Sequence, residues 1–277
     1  MNPEAFAARR AAFRKLHESG FFVIPNPWNI GTARYLRSLG FKALATTSSG
    51  FAFANGFPDA EWAVTREMAL QHIRSIVESV DLPINADFES GYAHDPDGVA
   101  QNVRLCVATG VAGLSIEDAT GDHSRPLYDL PLAIERIRAA RAAIDATKSG
   151  VVLTARCEAW LVGAPDPATT AIDRLVAYAE AGADCLYAPG VRDLEIIKSI
   201  VAAVAPKPVN LLVSRTIPGL SLEGIAALGV RRVSVGGALS RVAFGAFMRA
   251  ARGLAAGSFD ALAEAAGHDE LDALFRR

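Results

Sequence analysis

The feature that most constrains this chain is an alternation repeated eight times: a short, nearly continuous apolar run, then a longer stretch with helical periodicity. The apolar runs lie at residues 21–25, 43–47, 82–87, 113–118, 151–156, 185–188, 208–212 and 232–236. Helical patterns at 30–39, 65–80, 99–109, 132–146, 169–181, 194–204 and 221–228 fill the spaces between them. Strands that are apolar along their length and separated by helices belong to a parallel sheet covered on both faces. Gly40, Gly110, Gly182 and Gly229 each close a helical pattern shortly before a strand, where glycine adopts the left-handed backbone of a helix end without penalty. Eight strand–helix units predict an α/β fold, a (β/α)8 TIM barrel, over an open doubly wound sheet. The G-x-G-x-x-G fingerprint of a dinucleotide site does not follow the first strand. No linker rich in Pro, Gly or Ser divides the chain. The expectation is a single domain over 1–277, with C-terminal helices from about 238 to 277 beyond the eighth strand.

Composition narrows the function. At 277 residues and 51% hydrophobic, the chain buries a large core and is not disordered. A net charge of -2 leaves no basic surplus for a phosphate backbone, so nucleic acid is not an expected partner. No apolar stretch approaches the ~20 residues of a membrane span, so a membrane is not expected either. Residues 1–20 carry charges throughout and do not read as a secretory signal. Cys106, Cys157 and Cys185 are far apart with no CxxC pair, as expected of reduced thiols in a cytoplasmic protein.

In such a barrel the chemistry sits at the carboxyl ends of the strands. Those ends present Asn26 and Asn29 after the first strand and Thr47-Ser48-Ser49-Gly50 after the second. They present Asp87 and Glu89 after the third, Glu117-Asp118 after the fourth, Arg156 and Glu158 after the fifth, Asn210 on the seventh, and Ser234 and Gly236 on the eighth. Four carboxylates therefore leave two neighbouring apolar strands, with a cation on the next. Such a cluster is expensive unless something positive joins it. Hard carboxylate oxygens suit Mg²⁺ or Mn²⁺, and the missing His/Cys set argues against zinc. Asp87, Glu89 and Glu117 are the candidate metal-binding residues, with Arg156 close by.

These strand ends, in this order, resemble the isocitrate lyase/phosphoenolpyruvate mutase superfamily. The similarity runs from about residue 13 to 256 through "ATTSSGFAFANGFPD" (45–59), "LPINADFESGYA" (82–93), "GVAGLSIED" (110–118), "LTARCEAW" (153–160) and "LGVRRVSVGG" (228–237). Its most diagnostic piece is Ala-Asp-x-(Asp/Glu)-x-Gly-Tyr followed by Ile-Glu-Asp. The resemblance implies a barrel that holds Mg²⁺ and acts on a small 2-oxo acid. Carried over by position, Asp87 would be the direct metal ligand, Glu89 and Glu117 would hold its water shell, and Asp59 would be a further acidic contact to that shell. Arg156 would bind the substrate carboxylate, aided by Thr47, Ser48 and Ser49, and Asn210 would sit near the substrate's distal end. The resemblance also implies a homotetramer, a dimer of dimers, in which residues 238–256 are exchanged as a swapped C-terminal helix. Leu239, Val242, Ala243, Ala246 and Phe247 give that helix an apolar face to cover.

The departures from the family pattern set the expected chemistry. Family lyases carry a loop after the fourth strand whose cysteine protonates the departing carbanion. Here that stretch is "DATGDHSRPLYDLPLA" (118–133), short and without cysteine. The usual Ser-Gly after the second strand is Thr47-Ser48, and a Glu common after the sixth is Pro189. His123 and Arg125 are the proton-handling groups left in the loop, and His123 is the candidate catalytic acid beside Arg156 and Thr47. A 2-oxo acid offers a ketone and a carboxylate oxygen to one divalent ion, and the enolate left by bond cleavage is stabilised by that ion. The expectation is an Mg²⁺-dependent lyase that cleaves a C–C bond, decarboxylation included, in a small 2-oxo acid or related carboxylic acid. The alternatives are P–C bond cleavage or rearrangement of a phosphonate, and a non-catalytic 2-oxo acid binding protein.

Overall fold

The eight apolar runs become eight parallel strands in the computed structural model, which describes residues 3–216 and 219–276. The outer ends of the expected 1–277 domain, residues 1–2 and 277, lie outside the described residues, as do residues 217–218. The strands are β1 (Phe22–Ile24), β2 (Leu44–Ala45), β3 (Ile84–Asp87), β4 (Gly113–Glu117), β5 (Val152–Arg156), β6 (Cys185–Tyr187), β7 (Val209–Leu212) and β8 (Arg232–Ser234). They pair in the order β1-β8-β7-β6-β5-β4-β3-β2. The amide of Ala45 donates to the carbonyl of Pro25 at 3.1 Å, bringing β2 round to the end of β1 in a nearly closed barrel.

The surrounding helices are α1 (Pro3–Glu18), α2 (Ile30–Ser38), α3 (Ser48–Ala54), α4 (Arg66–Ser79), α5 (Pro96–Val107), α6 (Leu130–Ala146), α7 (Pro167–Glu180), α8 (Leu194–Val204), α9 (Leu222–Ala227), α10 (Ala238–Ala255) and α11 (His268–Phe275). Asn29, Thr65, Asp95, Asp166, Asp193 and Ser221 stand just before six of them, each accepting from a free amide of the first turn. The four helix-ending glycines all have positive φ. Gly110 needs its missing side chain as well, because a Cβ there would fall 2.4 Å from the Phe6 ring.

Sequence periodicity did not anticipate α1 or α3. Helix α1 closes the amino-terminal end of the barrel. Its Phe13 is fully buried among Phe22, Ile24, Ala43, Ala45, Ala112 and Val152. Three of its arginines fasten it to backbone carbonyls: Arg9 to Val77 at 3.0 Å, Arg10 to Val111 at 2.9 Å and Val107 at 3.0 Å, and Arg14 to Gly150 at 2.7 Å. Above this plug the barrel departs from the usual layers of branched aliphatic side chains. Asn85, Ser115, Thr154, Asn210 and Arg232 are all buried on consecutive or neighbouring strands. The Arg232 guanidinium donates to Asn210 Oδ1 at 2.8 Å, Thr154 Oγ1 at 3.1 Å and the His17 ring at 3.2 Å.

Candidate active site

The carboxyl ends of the strands open into a cavity of about 430 Å³. Thr47, Ser48, Ser49, Asp59, Asp87, Glu89, Glu117, Arg156 and Asn210 all line it. The fold thus brings together these candidates but not His123 or Arg125 of the loop after β4, nor Asp118, the fourth strand-end carboxylate, which accepts from Arg174 and Tyr178 instead.

Register does much of this work. Parallel pairing sets Glu117 of β4 beside Arg156 of β5, and Asp87 of β3 beside Ser115 of β4. The Arg156 Nη1 lies 2.8 Å from Asp87 Oδ1 and 2.9 Å from Glu117 Oε2, while its Nε donates to Glu158 Oε1 at 2.9 Å. The Tyr187 ring, with its centroid 5.1 Å from the guanidinium carbon, supports the same side chain. The other oxygen of Asp87 accepts from the Ser48 amide at 2.9 Å and the Ser48 hydroxyl at 2.8 Å. Thr47 caps α3, with Oγ1 accepting from the Gly50 amide at 3.2 Å and lying 3.1 Å from Ser49 Oγ. Gly237 after β8 fits against this turn because a Cβ there would come 2.5 Å from Ser49 Oγ.

Glu89 sits on a segment that ordinary side chains avoid. Glu89 and Tyr92 have φ of 47° and 54°, with Gly91 at 82° between them. Arg136 of α6, itself 1% exposed, holds this turn by donating to the carbonyls of Ser90, Ala93 and His94 and stacking on Tyr128. The Glu89 carboxylate then accepts from Tyr92 Oη at 2.8 Å and the Trp62 amide at 3.2 Å.

Among the described residues, six carboxylates line the cavity against four arginines, of which Arg156 is the one paired with Asp87, Glu117 and Glu158. Burial pushes the Glu89 carboxyl up to about 7 against its two hydrogen bonds, with Asp87 and Glu61 adding repulsion. Burial also raises Glu117 well above the usual range, Arg156 opposing and Glu158 and Asp87 adding. Glu158 is pushed up to about 7 by burial, despite Arg156. Asp59, at the cavity mouth, is raised by desolvation and then by Asp87. Burial alone would lower the Arg156 guanidinium, but Glu117, Glu158 and Asp87 together hold it well above its ordinary value. Among the described residues no three His, Cys, Asp or Glu side chains stand as a ready-made metal cage. Arg156 divides the acids that would form one.

His123 is not brought to the cavity. It is exposed on a loop that closes on itself, with Ala119 bridged to Leu127 and the Thr120 amide donating to Pro126 at 3.1 Å. Glu158, Glu61, Tyr187 and Arg232 also line the cavity, although their sequence positions pointed to no role there. The position of Glu158 two residues beyond Arg156 at a strand end was the one available signal for it; Arg232 had none. Asn210 donates to Ser234 Oγ at 2.9 Å and accepts from Arg232, so both ends of its amide are engaged in the polar layer.

The phosphoenolpyruvate phosphomutase family profile matches residues 13–255. Among curated proteins, an oxaloacetate decarboxylase of Rhodopseudomonas palustris is 30% identical over 274 residues, covering 91% of this chain and 90% of its own. A crystal structure from Burkholderia cenocepacia, provisionally described as a lyase/mutase, is 45% identical, with a TM-score of 0.94 and coverage of 99% of this chain and 98% of that one. An oxaloacetate acetylhydrolase solved with the inhibitor 3,3-difluorooxalacetate is 26% identical, with a TM-score of 0.85 over 97% of this chain and 93% of the other.

Proposed function

The chain belongs to the isocitrate lyase/phosphoenolpyruvate mutase superfamily of lyases and mutases, and from that premise we propose a divalent-metal-dependent lyase that cleaves a C–C bond, decarboxylation included, in a small 2-oxo acid. The observation that carries this reading is the meeting of Asp87, Glu89 and Glu117 with Arg156 in one cavity of about 430 Å³, a volume suited to a small acid.

The donor set fits Mg²⁺ or Mn²⁺. All its members are carboxylate oxygens, and Mg²⁺ keeps several waters and needs only one or two carboxylates from protein. Asp87 as direct ligand, with Glu89, Glu117 and Asp59 acting across water, therefore requires no ready-made cage. The raised carboxyls of Glu89 and Glu117 mark a place where a dication relieves repulsion. Bound there, the ion would stabilise the negative charge that grows on the ketone oxygen as the C–C bond breaks.

The remaining steps belong to the chain. Arg156 offers a planar, bidentate grip on the substrate carboxylate. Thr47, Ser48 and Ser49 add hydroxyl groups on the adjoining wall, and the substrate's distal end lies toward Asn210. The loop after β4 brings no acid to the cavity, which favours a product enolate that survives until it meets a solvent proton.

Turnover with Mg²⁺ and with Mn²⁺ tests the reading. Release of pyruvate and CO₂ from oxaloacetate, or of two smaller acids from a related substrate, is the expected result. Phosphate release from phosphonopyruvate would select the P–C chemistry instead. Ligand binding without turnover of any 2-oxo acid would select a binding protein.

We extend the proposal to assembly. Helix α10 buries only Ser240, while Val242 and Phe247 are 69% and 67% exposed. An apolar face of this kind is covered in a dimer of dimers that exchanges the C-terminal helices, and light scattering is expected to give a four-chain mass. No helix among the described residues is long and apolar enough to cross a membrane. Three buried, unpaired cysteines support a reducing compartment, the cytoplasm.

A further inference from the structure

Arg156 is held by the oxygens that a metal ion at this site would need. Asp87 has committed Oδ2 to the amide and hydroxyl of Ser48, at 2.9 and 2.8 Å. Its remaining oxygen, Oδ1, is the one that lies 2.8 Å from Arg156 Nη1. The same Nη1 stands 2.9 Å from Glu117 Oε2, so a single nitrogen bridges the direct ligand and one outer acid. The Arg156 side chain is 13% exposed, and those of Asp87 and Glu117 are 18% and 13% exposed. At such burial, two cations sharing one carboxylate oxygen repel each other strongly.

We propose that Arg156 is a displaceable counter-ion: it competes with the divalent cation for Asp87 and Glu117, and cation binding releases its Nη1 to take the substrate carboxylate. The inference rests on the metal reading above and goes beyond it, because a residue that only grips substrate has no reason to oppose the metal. The geometry supplies a pivot. Nε lies 2.9 Å from Glu158 and the Tyr187 ring supports the guanidinium, so the rigid plane can turn about the Cδ–Nε bond, swinging Nη1 while Nε stays beside Glu158. Glu158 is therefore a positioning residue. The order of binding follows: metal first, organic acid second, with the metal-free protein closed to the acid because its carboxylate grip is already in use.

The test reads metal occupancy and not turnover. Free Mn²⁺ is followed by electron paramagnetic resonance at pH 8 without any organic acid. Arg156→Gln is expected to bind Mn²⁺ about tenfold more tightly than the unaltered protein, a typical size for competition between two ligands of one site. Calorimetry is expected to show oxalate binding to the Mn²⁺-loaded unaltered protein and none to the metal-free one. Unchanged or weaker Mn²⁺ affinity in Arg156→Gln, or oxalate binding without metal, overturns the competition. Failure of the unaltered protein to bind Mn²⁺ overturns the metal reading itself, so the two failures are distinguishable. Should Arg156→Gln not fold, Arg156→Lys decides. Lysine has no Nε to anchor on Glu158, so its ammonium is held less firmly between Asp87 and Glu117; a rise of about threefold is expected, and no rise overturns the proposal.

Discussion

The two ends of the barrel use the same residue type for opposite purposes. At the amino-terminal end, Arg9, Arg10 and Arg14 donate to neutral backbone carbonyls around a plug built on Phe13. At the carboxyl-terminal end, Arg156 faces Asp87, Glu117 and Glu158, with Glu89 and Asp59 in the same cavity. The first end is satisfied by its own chain and contributes stability. The second is short of positive charge, which costs stability, and is completed from outside. A barrel can hold such a site because its other end is closed independently.

The largest effect expected from this division is on turnover. Asp87→Ala removes the oxygen that the metal and Arg156 share, and metal-dependent activity should fall about 10³-fold. Unfolding free energy should stay within about 1 kcal/mol, since the lost pairing with Arg156 is offset by removing one acid from a crowded cluster in which Arg156 keeps Glu117 and Glu158. Phe13→Ala should do the reverse. It empties a fully buried ring site and should cost about 3–5 kcal/mol in urea titrations, with kcat within about twofold because the change lies below the polar layer. An Asp87→Ala chain that unfolds, or a Phe13→Ala chain whose kcat collapses, would break the division.

The carboxyl-terminal end was the more legible of the two, for a physical reason. Asp87, Glu117 and Arg156 stand out because charged residues terminate apolar runs, and the runs at 113–118 and 151–156 match β4 and β5 almost residue for residue. Helix α1 was opaque because Phe13, its buried anchor, stands among arginines whose stems lie on apolar surface and whose heads reach carbonyls. A charged stretch of that kind reads as solvated. Helix α3 was hidden because it begins directly at Thr47, where the second apolar run ends. The polar layer was missed for another reason. In strands buried on both faces, a single Asn, Ser, Thr or Arg does not break an apolar run, so Asn85, Ser115, Thr154 and Arg232 gave no signal of a shared interior.

The two ends should also answer to pH with opposite sign. The His17 Nδ1 lies 2.8 Å from the Phe13 carbonyl, which can only accept, so Nε2 is left to accept from Arg232 and the ring is neutral. Burial and then Arg232 bring its folded value down to about 3 from 6.5. A base so depressed contributes stability above pH 6.5, lost progressively as pH falls toward 3. Glu158 runs the other way. Its folded value of about 7 exceeds the ordinary 4.5, so the folded chain holds the proton more tightly and stability declines as pH rises from 4.5 to 7. Over the two pH units that the windows share, each contribution is on the order of 3 kcal/mol. In the metal-free protein the two oppose one another between pH 4.5 and 6.5, with Glu89 and Glu117 adding to the side of Glu158. Relative to the unaltered protein, Glu158→Gln should turn the stability curve upward through that window, and His17→Phe should turn it downward, the raised carboxyls of Glu89 and Glu117 staying the same in both. Parallel curves for the two variants would show that the ends do not titrate independently.

The smallest expected effect concerns the loop after β4, which belongs by position to the carboxyl-terminal end but in this structure does not join its cavity. Asp122 Oδ1 accepts from the Ser124 amide at 2.8 Å and the Ser124 hydroxyl at 2.7 Å, and Thr120 bonds within the same loop, so its polar groups are spent on each other. His123 is left at the exposed tip, away from the cavity. A general acid contributes its usual 10²–10⁴-fold, roughly, only within hydrogen-bond reach of the atom it protonates. With the loop in this conformation His123 meets no such atom, and His123→Ala should lower kcat on whichever 2-oxo acid turns over by less than about threefold. A loss of a hundredfold or more would mean that the loop leaves its self-bonded form and closes over the cavity during turnover. The active end would then comprise a moving acid as well as the fixed carboxylates, and its contrast with the plugged end would extend from charge to motion.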